Sequence, residues 1–549
     1  MAAMGPPGGG RSKITARIQR HFNILTYTDL QAESIDKIFS TIITAFYHNF
    51  SQEIKDSVRP IMDMILRVYD HVLNGPLKPT PNKSHYTFNL RDISRISQGL
   101  CAANNRQVYE PVHLVRLWVH ENKRVFGDRL IDEKDRNWLD KLLSDEGSST
   151  FKLEVSDIFN VERIIFGDYM DGIDTDTRVY QQVMDIKLMV QKVIEFLEEY
   201  NSSVKIQMKL VMFLDAVDHV SRITRVIRQP LGNALLLGIG GSGRQSLSRL
   251  ATFMANFKLF QIEVVKGYGM QNWRDDVKAC LLEAGCKNQA TSFLFVDTQI
   301  VNESMLEDIN NILNSGDVTN LYKLEDMEAI NKVGKNICTE KGMPVTKMNM
   351  FQAYVGQVKK NVHMIIAMSP LGEIFRSRLR KFPSLVNNCT IDWFSEWPEE
   401  ALLGVGRGQI EAADLELEQS MDACVKMFTF IHQSVERKSI QFKDQLNRQN
   451  YVTPTSFLEL LSSYGTILKQ KRKTISFSKN RLVTGLQVLE KAGIEIAKLK
   501  DHIDKMAPEL AITKKDVAET MAQLAIDKAD ADAEKEIVAK DEAIATAQE

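Results

Sequence analysis

Gly238, Ile239, Gly240, Gly241, Ser242, Gly243, Arg244, Gln245 and Ser246 follow four apolar residues (234–237) and precede Leu247, Leu250, Ala251 and Met254 at helical spacing. A strand that ends in a glycine-rich turn and enters a helix at once constrains the chain strongly. Glycine permits left-handed backbone, and the helix start presents N–H groups with no partner of their own. Together they form a nest for an anion, phosphate above all. Further apolar runs at residues 259–265, 292–296, 362–368 and 390–394 alternate with helical patterns, which predicts a parallel sheet in an α/β domain.

The loop departs from the phosphate-binding pattern GxxxxGK[ST] at both chemical positions. Arg244 stands where a lysine reaches the β- and γ-phosphates, Gln245 where a hydroxyl ligates Mg²⁺, and Ser246 is one place late. Two readings stay open: a structural glycine-rich turn, and a retained but altered nucleotide site. A second signal is the apolar run 293–296 ending in Asp297. On its own that is a turn former; after a glycine-rich loop it fits the acid that holds Mg²⁺, with Thr298 where an activating glutamate is expected. A third is the run holding Arg376, Arg378, Arg380 and Lys381, either a solvated basic face or the source of an arginine that reaches a neighbouring γ-phosphate. Arg17 and Arg20 follow the glycine-rich opening in the same way.

Around this centre the chain reads as mostly helical. Residues 29–130 carry helical periodicity, with Ile35, Ile38, Ile42 and Phe46 on one stripe and a break at residues 75–83. Residues 145–150 (DEGSST) read as a polar loop and a boundary, and residues 1–4 as a strand end before glycines and prolines, so that the chain begins inside a domain. After Trp397-Pro398 the pattern is helical to residue 470, with Pro454 opening one helix. Leu482, Leu489, Ile496, Ile503, Leu510, Val517, Leu524, Ala531, Val538 and Ala545 then recur every seventh residue. Their companion seam weakens from Leu499 and Met506 to Thr513, Thr520, Asp527, Glu534 and Asp541. This predicts a helix about 100 Å long in a coiled coil of modest stability, which Pro508 kinks or interrupts. Such a stripe needs a partner helix, whereas a single globular helix is the plainer alternative.

Composition excludes several classes. With 69 Lys+Arg against 71 Asp+Glu the net charge is −2, and 44% hydrophobic content supports several packed cores, so neither a disordered chain nor a basic nucleic-acid footprint is expected. The basic collar of Lys469, Lys471, Arg472, Lys473, Lys479 and Arg481 lacks aromatic interleaving and reads as a solvated junction. Six scattered cysteines without a CxxC pair fit a reducing compartment. No apolar run approaches the roughly 20 residues that span a bilayer, so no membrane is expected. His85, His219 and His363 are isolated and read as core or surface residues rather than ligands.

The ordered set of motifs resembles one family. The loop 238–246, residues 295–299 (FVDTQ), 376–385 (RSRLRKFPSL), 390–394 (TIDWF) and 453–458 (TPTSFL) look like the fourth AAA+ module of dynein heavy chains, the axonemal branch fitting best. Residues 1–11, 17–22 (RIQRHF) and 88–93 (FNLRDI) look like the back half of the third module, and residues 482–549 like the outgoing stalk helix. The resemblance implies an α/β AAA+ module preceded by another module's helical lid and followed by a long coiled-coil helix. It divides the chain into a third-module part (1–145), a fourth-module large subdomain (146–405), its lid (406–470) and a stalk helix (471–549).

The resemblance further implies an ATP-driven microtubule motor of cilia and flagella, located in the cytoplasm and the axonemal cytoskeleton. Its partners are the rest of the ring, the return stalk helix, the microtubule, and intermediate and light chains. ATP or ADP, with Mg²⁺ at Asp297, is the implied cofactor. Gly238 to Ser246 and Asp297 would hold phosphates, and Ile165 and Phe166 the adenine. Arg380, with Arg378 as second choice, would be the finger for the third module's site, Arg91 its lid arginine, and Arg20 or Arg17 would face the second module's site. Arg244, Thr298 and Ser369 (in place of the usual sensor asparagine), and a lid at residues 453–456 with no evident sensor arginine, favour a structural or regulatory site that does not hydrolyse and that relays ring state to the stalk. An independent small ATPase and a nucleotide-free coiled-coil scaffold are the alternatives.

Overall fold

In a computed structural model, residues 4, 14–28, 30–161, 163–172, 178–208, 210–417, 419–448 and 450–546 are described, side chains to residue 543. The glycine-rich opening (residues 5–10) lies outside them. The chain divides into two units, Met1–Leu461 and Ser462–Glu549.

The first unit begins with a helical subdomain. Helices Ala32–Phe46, Gln52–Asn74, Leu90–Leu100, Pro111–Asn122 and Glu133–Phe151 surround a core that includes Ile61, Met62, Ile96, Trp118 and Leu143. In the first helix Ile35 and Ile43 are buried while Ile38 and Ile42 face outward. The stripe follows the i, i+4, i+8 ridge rather than i, i+3, i+7, correcting the sequence reading. Asn89 starts its helix with a capping box closed by Asp92. Residues 145–150 are not a loop: the last helix runs through them because Leu139, Leu143 and Gly147 fall on one buried face. Gly147 packs closely there: a Cβ would approach the Ile158 Cδ1 to 3.1 Å, so that side chain would have to give.

A short antiparallel pair, β1 (Phe166–Gly167) and β2 (Gln181–Gln182), leads into the α/β part. There β3 (Ala234–Leu237), β4 (Lys258–Gln261), β5 (Thr291–Val296), β6 (Val362–Met368) and β7 (Thr390–Trp393) form a parallel sheet in the order β4-β5-β6-β3-β7. Every residue of β3, β5 and β6 is buried, which explains their unbroken apolar runs: helices cover both faces of the sheet. β4 ends at Gln261 rather than continuing to residue 265. It is an edge strand, the Ile262 carbonyl is taken by the Gln299 amide (2.7 Å), and Val264 and Val265 are exposed.

After β7, helices Glu399–Ala412 and Met421–Leu446 form a pair, and Phe457 joins its core from the start of the next helix. That helix, Pro454–Thr546, opens at Pro454 as its sequence predicts.

Residues of the second unit continue this helix, and Pro508 does not interrupt it. A single proline forfeits one i→i−4 bond, about 3 kcal/mol, which the long runs of good helix formers on either side offset. Nine of the ten heptad residues, Leu482 to Leu524 together with Ala531 and Val538, have described side chains, all exposed; Leu489, for example, is 70% exposed. The side chain of Ala545 lies outside the described residues.

Candidate nucleotide site

β3 delivers the glycine-rich loop to the carboxyl edge of the sheet, where ligands of open α/β folds gather. Because β3 is paired on both sides, to β6 and β7, its last residue has little freedom. Gly241 and Gly243 take left-handed backbone (φ +83° and +85°), and Gly243 caps the helix Arg244–Met254. A side chain at Gly241 has no room: its Cβ would lie 2.0 Å from Thr455 Oγ1 and 2.7 Å from Thr455 N, in the first turn of the helix that Pro454 opens. A Cβ at Gly240 would meet nothing within 4 Å. Ser242 Oγ is buried with no hydrogen-bond partner among the described residues. It lies 3.2 Å from where a Cβ on Gly238 would stand, on the side of Phe394. The two left-handed glycines and the helix start that Gly243 caps fit a phosphate.

Arg244 does not reach outward. Its residue is 9% exposed, and its guanidinium donates to the carbonyl of Met368, the last residue of β6, and to that of Ile239 at 3.3 Å. Burial pulls its pKa below the ordinary arginine value, and the nearby Asp297 carboxylate pulls in the other direction. Asp297 begins a short turn after β5, and its Oδ2 accepts from the Ser369 N–H at 3.0 Å, so the two strand ends that flank the loop are tied together. Thr298 and Gln245 are exposed. Neither supplies what its position requires for hydrolysis: Gln245 has no hydroxyl for a metal and Thr298 no carboxylate for water. The residues present do not fit Mg²⁺ as they fit phosphate.

Beside the loop lies a cavity of about 550 Å³, lined among others by Ile239, Pro370, Leu371, Arg376, Glu436 and Lys443. Its size falls in the range of small-molecule sites, and Glu436 and Lys443 come from the helix Met421–Leu446.

Comparisons with known proteins decide the family. Residues 208–467 match the family described as the P-loop containing dynein motor region D4, residues 61–160 the AAA+ lid domain, and residues 1–30 the P-loop containing dynein motor region. Dynein axonemal heavy chain 1 of Mus musculus is 44% identical over 522 residues, 92% of this chain, and the same-named protein of Homo sapiens is 44% identical over 526. Dynein axonemal heavy chain 3 of Homo sapiens is 38% identical over 525 residues, 93% of this chain. The chain belongs to the axonemal dynein heavy-chain family. It spans 12% of the length of the first two relatives and 13% of the third.

The residues that the dynein resemblance singles out do not gather at one place. Ile165 and Phe166 are both buried, on opposite sides of a boundary. Ile165 belongs to the α/β core that also holds Leu236 and Val296; Phe166 packs in the helical core, its ring 5.3 Å from that of His120. Arg91 is exposed and lines a cavity of about 610 Å³ together with Asn233, Lys359 and Asn387. Arg378 and Arg380 are not among the residues lining it. Arg380 is 61% exposed and 3.5 Å from Glu373, and the Nε of Arg378 is buried without a hydrogen-bond partner among the described residues. Arg20 is exposed, its Nε 3.3 Å from His21, and Arg17 is exposed in the short helix Ala16–Gln19.

Sequence reasoning missed a buried charge network joining the helical subdomain to the α/β part of this dynein segment. Arg124 meets Asp218 at 2.9 Å, Arg222 meets Asp218 at 2.5 Å and Asp392 at 2.9 Å, and Arg225 pairs with Glu121. Burial raises the Asp128 carboxyl to about 6, against the pull of Arg124 and Arg222. Burial would also raise Asp218, but Arg222 and Arg124 hold it well below the usual carboxylate range. His219 is not isolated: Nδ1 lies 2.7 Å from Asp392, and its ring stacks at 3.8 Å on Phe394, whose Cβ would be 2.7 Å from a Cβ at Gly238. Successive amides of this strand end divide their bonds, the Trp393 N–H donating to Asp128 O (2.8 Å) and the Phe394 N–H to Leu237 O (2.7 Å). His85 (Nε2 to Arg129 O, 2.9 Å) and His363 (Nδ1 to Gly232 O, 2.8 Å) are core histidines, as expected. The network partners lie as much as 173 residues apart, so no local pattern announces them.

Proposed function

We propose that this segment serves an axonemal, ATP-driven microtubule motor as the ring portion carrying a nucleotide site that binds without hydrolysing. The supporting observation is the contrast within the loop: its backbone cradle is intact, with Gly241 and Gly243 left-handed and Gly243 capping the helix start, while Arg244 is turned onto carbonyls and Thr298 replaces the activating acid. In this reading Gly238 to Ser246 take the phosphates of ATP or ADP, Asp297 orders the loop's neighbours, and Ile165 from the α/β core and Phe166 from the helical core would support the adenine side from either side of their boundary. Arg380 or Arg378, with Arg91, would complete the preceding module's site, and Arg20 or Arg17 the one before that. Boundaries near residues 145, 405 and 470 would separate these duties, each falling within a helix rather than in a loop. The remaining ring, a return stalk helix, intermediate and light chains and the microtubule would be partners, in the axoneme of a cilium or flagellum.

As a hypothesis, the stalk reads the site through the lid and the basic collar into the uneven heptad seam, which slides between registers at little cost because only one of its two stripes is strongly apolar. Coupling that survived a crosslink fixing one register would refute the relay. The direct test of the site is equilibrium binding and turnover of ATP on the purified chain. Binding without turnover is expected; turnover would overturn the non-hydrolysing reading, and absence of binding would overturn the site.

A further inference from the structure

The charge at the centre of this site is a side chain where the pattern expects a metal. Mg²⁺ demands near-octahedral oxygen ligands and is held in such sites by a hydroxyl of the loop and the strand-end acid, together with phosphate oxygens. Here the hydroxyl position is the exposed Gln245. The acid, Asp297, already accepts from the Ser369 N–H at 3.0 Å and has the buried Arg244 guanidinium as a charged neighbour. A second cation at Asp297 would meet that guanidinium's repulsion with no compensating ligand. Arg244 in turn spends two of its N–H groups on Met368 O and Ile239 O. A guanidinium carries five in a fixed fork, is weakly hydrated, and suits phosphate. The carbonyl bonds hold the fork against Ile239 of the same loop in which Gly241 and Gly243 take left-handed backbone, so the remaining N–H groups need only a short rearrangement to reach a phosphate there.

We propose that Arg244 takes the place of the divalent cation, so that this site holds a nucleoside diphosphate through the loop amides and the guanidinium, with no contribution from Mg²⁺. The proposal rests on the nucleotide reading above and adds to it which charge neutralises the phosphates.

The test is a titration of the full chain with a fluorescent ADP, once in EDTA and once in excess Mg²⁺. The affinity is expected to agree within about twofold between the two. In the double variant Arg244→Lys, Gln245→Thr, which restores both the lysine and the metal-ligating hydroxyl of the pattern, Mg²⁺ is expected to tighten ADP about tenfold, and in Gln245→Thr alone it is expected to change ADP affinity less than about twofold. Tightening of that size in the unaltered chain would overturn the proposal while leaving the nucleotide reading intact. Tenfold tightening in Gln245→Thr with Arg244 kept would overturn the assignment to Arg244. Failure to bind ADP under both conditions would overturn proposal and reading together. Should the double variant not fold, Mn²⁺ electron paramagnetic resonance on the unaltered chain with ADP decides: no protein-bound Mn²⁺ supports the proposal, and one bound Mn²⁺ per chain overturns it.

Discussion

Gly241→Ala puts a methyl group into the contact between the glycine-rich loop and the first turn of the Pro454–Thr546 helix. Two costs add. A non-glycine residue at φ +83° costs about 1 kcal/mol. The new Cβ would lie 2.0 Å from Thr455 Oγ1 and 2.7 Å from Thr455 N, so loop or helix start must shift, about 1–3 kcal/mol by analogy with overpacked cores. The sum is about 2–4 kcal/mol. Gly240→Ala is the internal control: its Cβ meets nothing within 4 Å and its φ is not left-handed, so a change within about 1 kcal/mol is expected. Urea unfolding of both variants, with proteolysis near residue 455 as a local readout, measures the difference. Thr455→Gly on top of Gly241→Ala removes the side-chain atoms of the collision but neither the backbone N nor the strained φ, so roughly half the loss should return. Equal stabilities for the two alanine variants, or a double variant in which the losses simply add, would refute the contact.

The other predictions concern the helical subdomain, the pH response and the long helix. Glu121→Gln leaves the buried Arg225 without its counter-charge and should cost about 3–5 kcal/mol in a urea melt, far more than Glu373→Gln at the exposed Arg380 pair. Burial lowers His85 to about 4, so between pH 6.5 and 4 the unfolded chain binds the extra proton. Its contribution is whole above pH 6.5 and is lost as pH falls through that window, about 3 kcal/mol in all. His85→Gln should flatten that part of the stability–pH curve, and an unchanged slope would refute the assignment. Pro508→Ala restores one amide inside a continuous helix, and hydrogen exchange of residues 504–512 should slow.

What could be read from residues alone follows from how local each cause is. The strand β6 and the helix start at Pro454 were legible to the residue, because a fully buried parallel strand is a continuous apolar run and proline is preorganised for a first helical turn. The residues 145–150 misled because their polarity suggests a loop, whereas one glycine fitted against Ile158 makes them a helix face. The loop's substitutions were visible, but the direction of Arg244 was not. It depends on the Met368 carbonyl, 124 residues further along, being the nearest acceptor for a buried guanidinium. The network of Arg124, Asp218, Arg222 and Asp392 was invisible for the same reason: each residue alone is an ordinary surface charge, and only the packing of two subdomains desolvates them together.

The divided amides at the end of β7 have a mechanical meaning. The two N–H groups belong to successive peptide planes, each rigid, joined at the single Cα of Trp393. The Phe394 N–H holds the strand from which the glycine-rich loop springs, and the Trp393 N–H holds Asp128 in the helical subdomain. Only the φ and ψ of Trp393, the last residue of β7, lie between them to absorb a displacement. A loop that shifts on taking up a phosphate must drag the neighbouring subdomain with it or give up one of two hydrogen bonds, so the joint behaves as a rivet, not as a hinge.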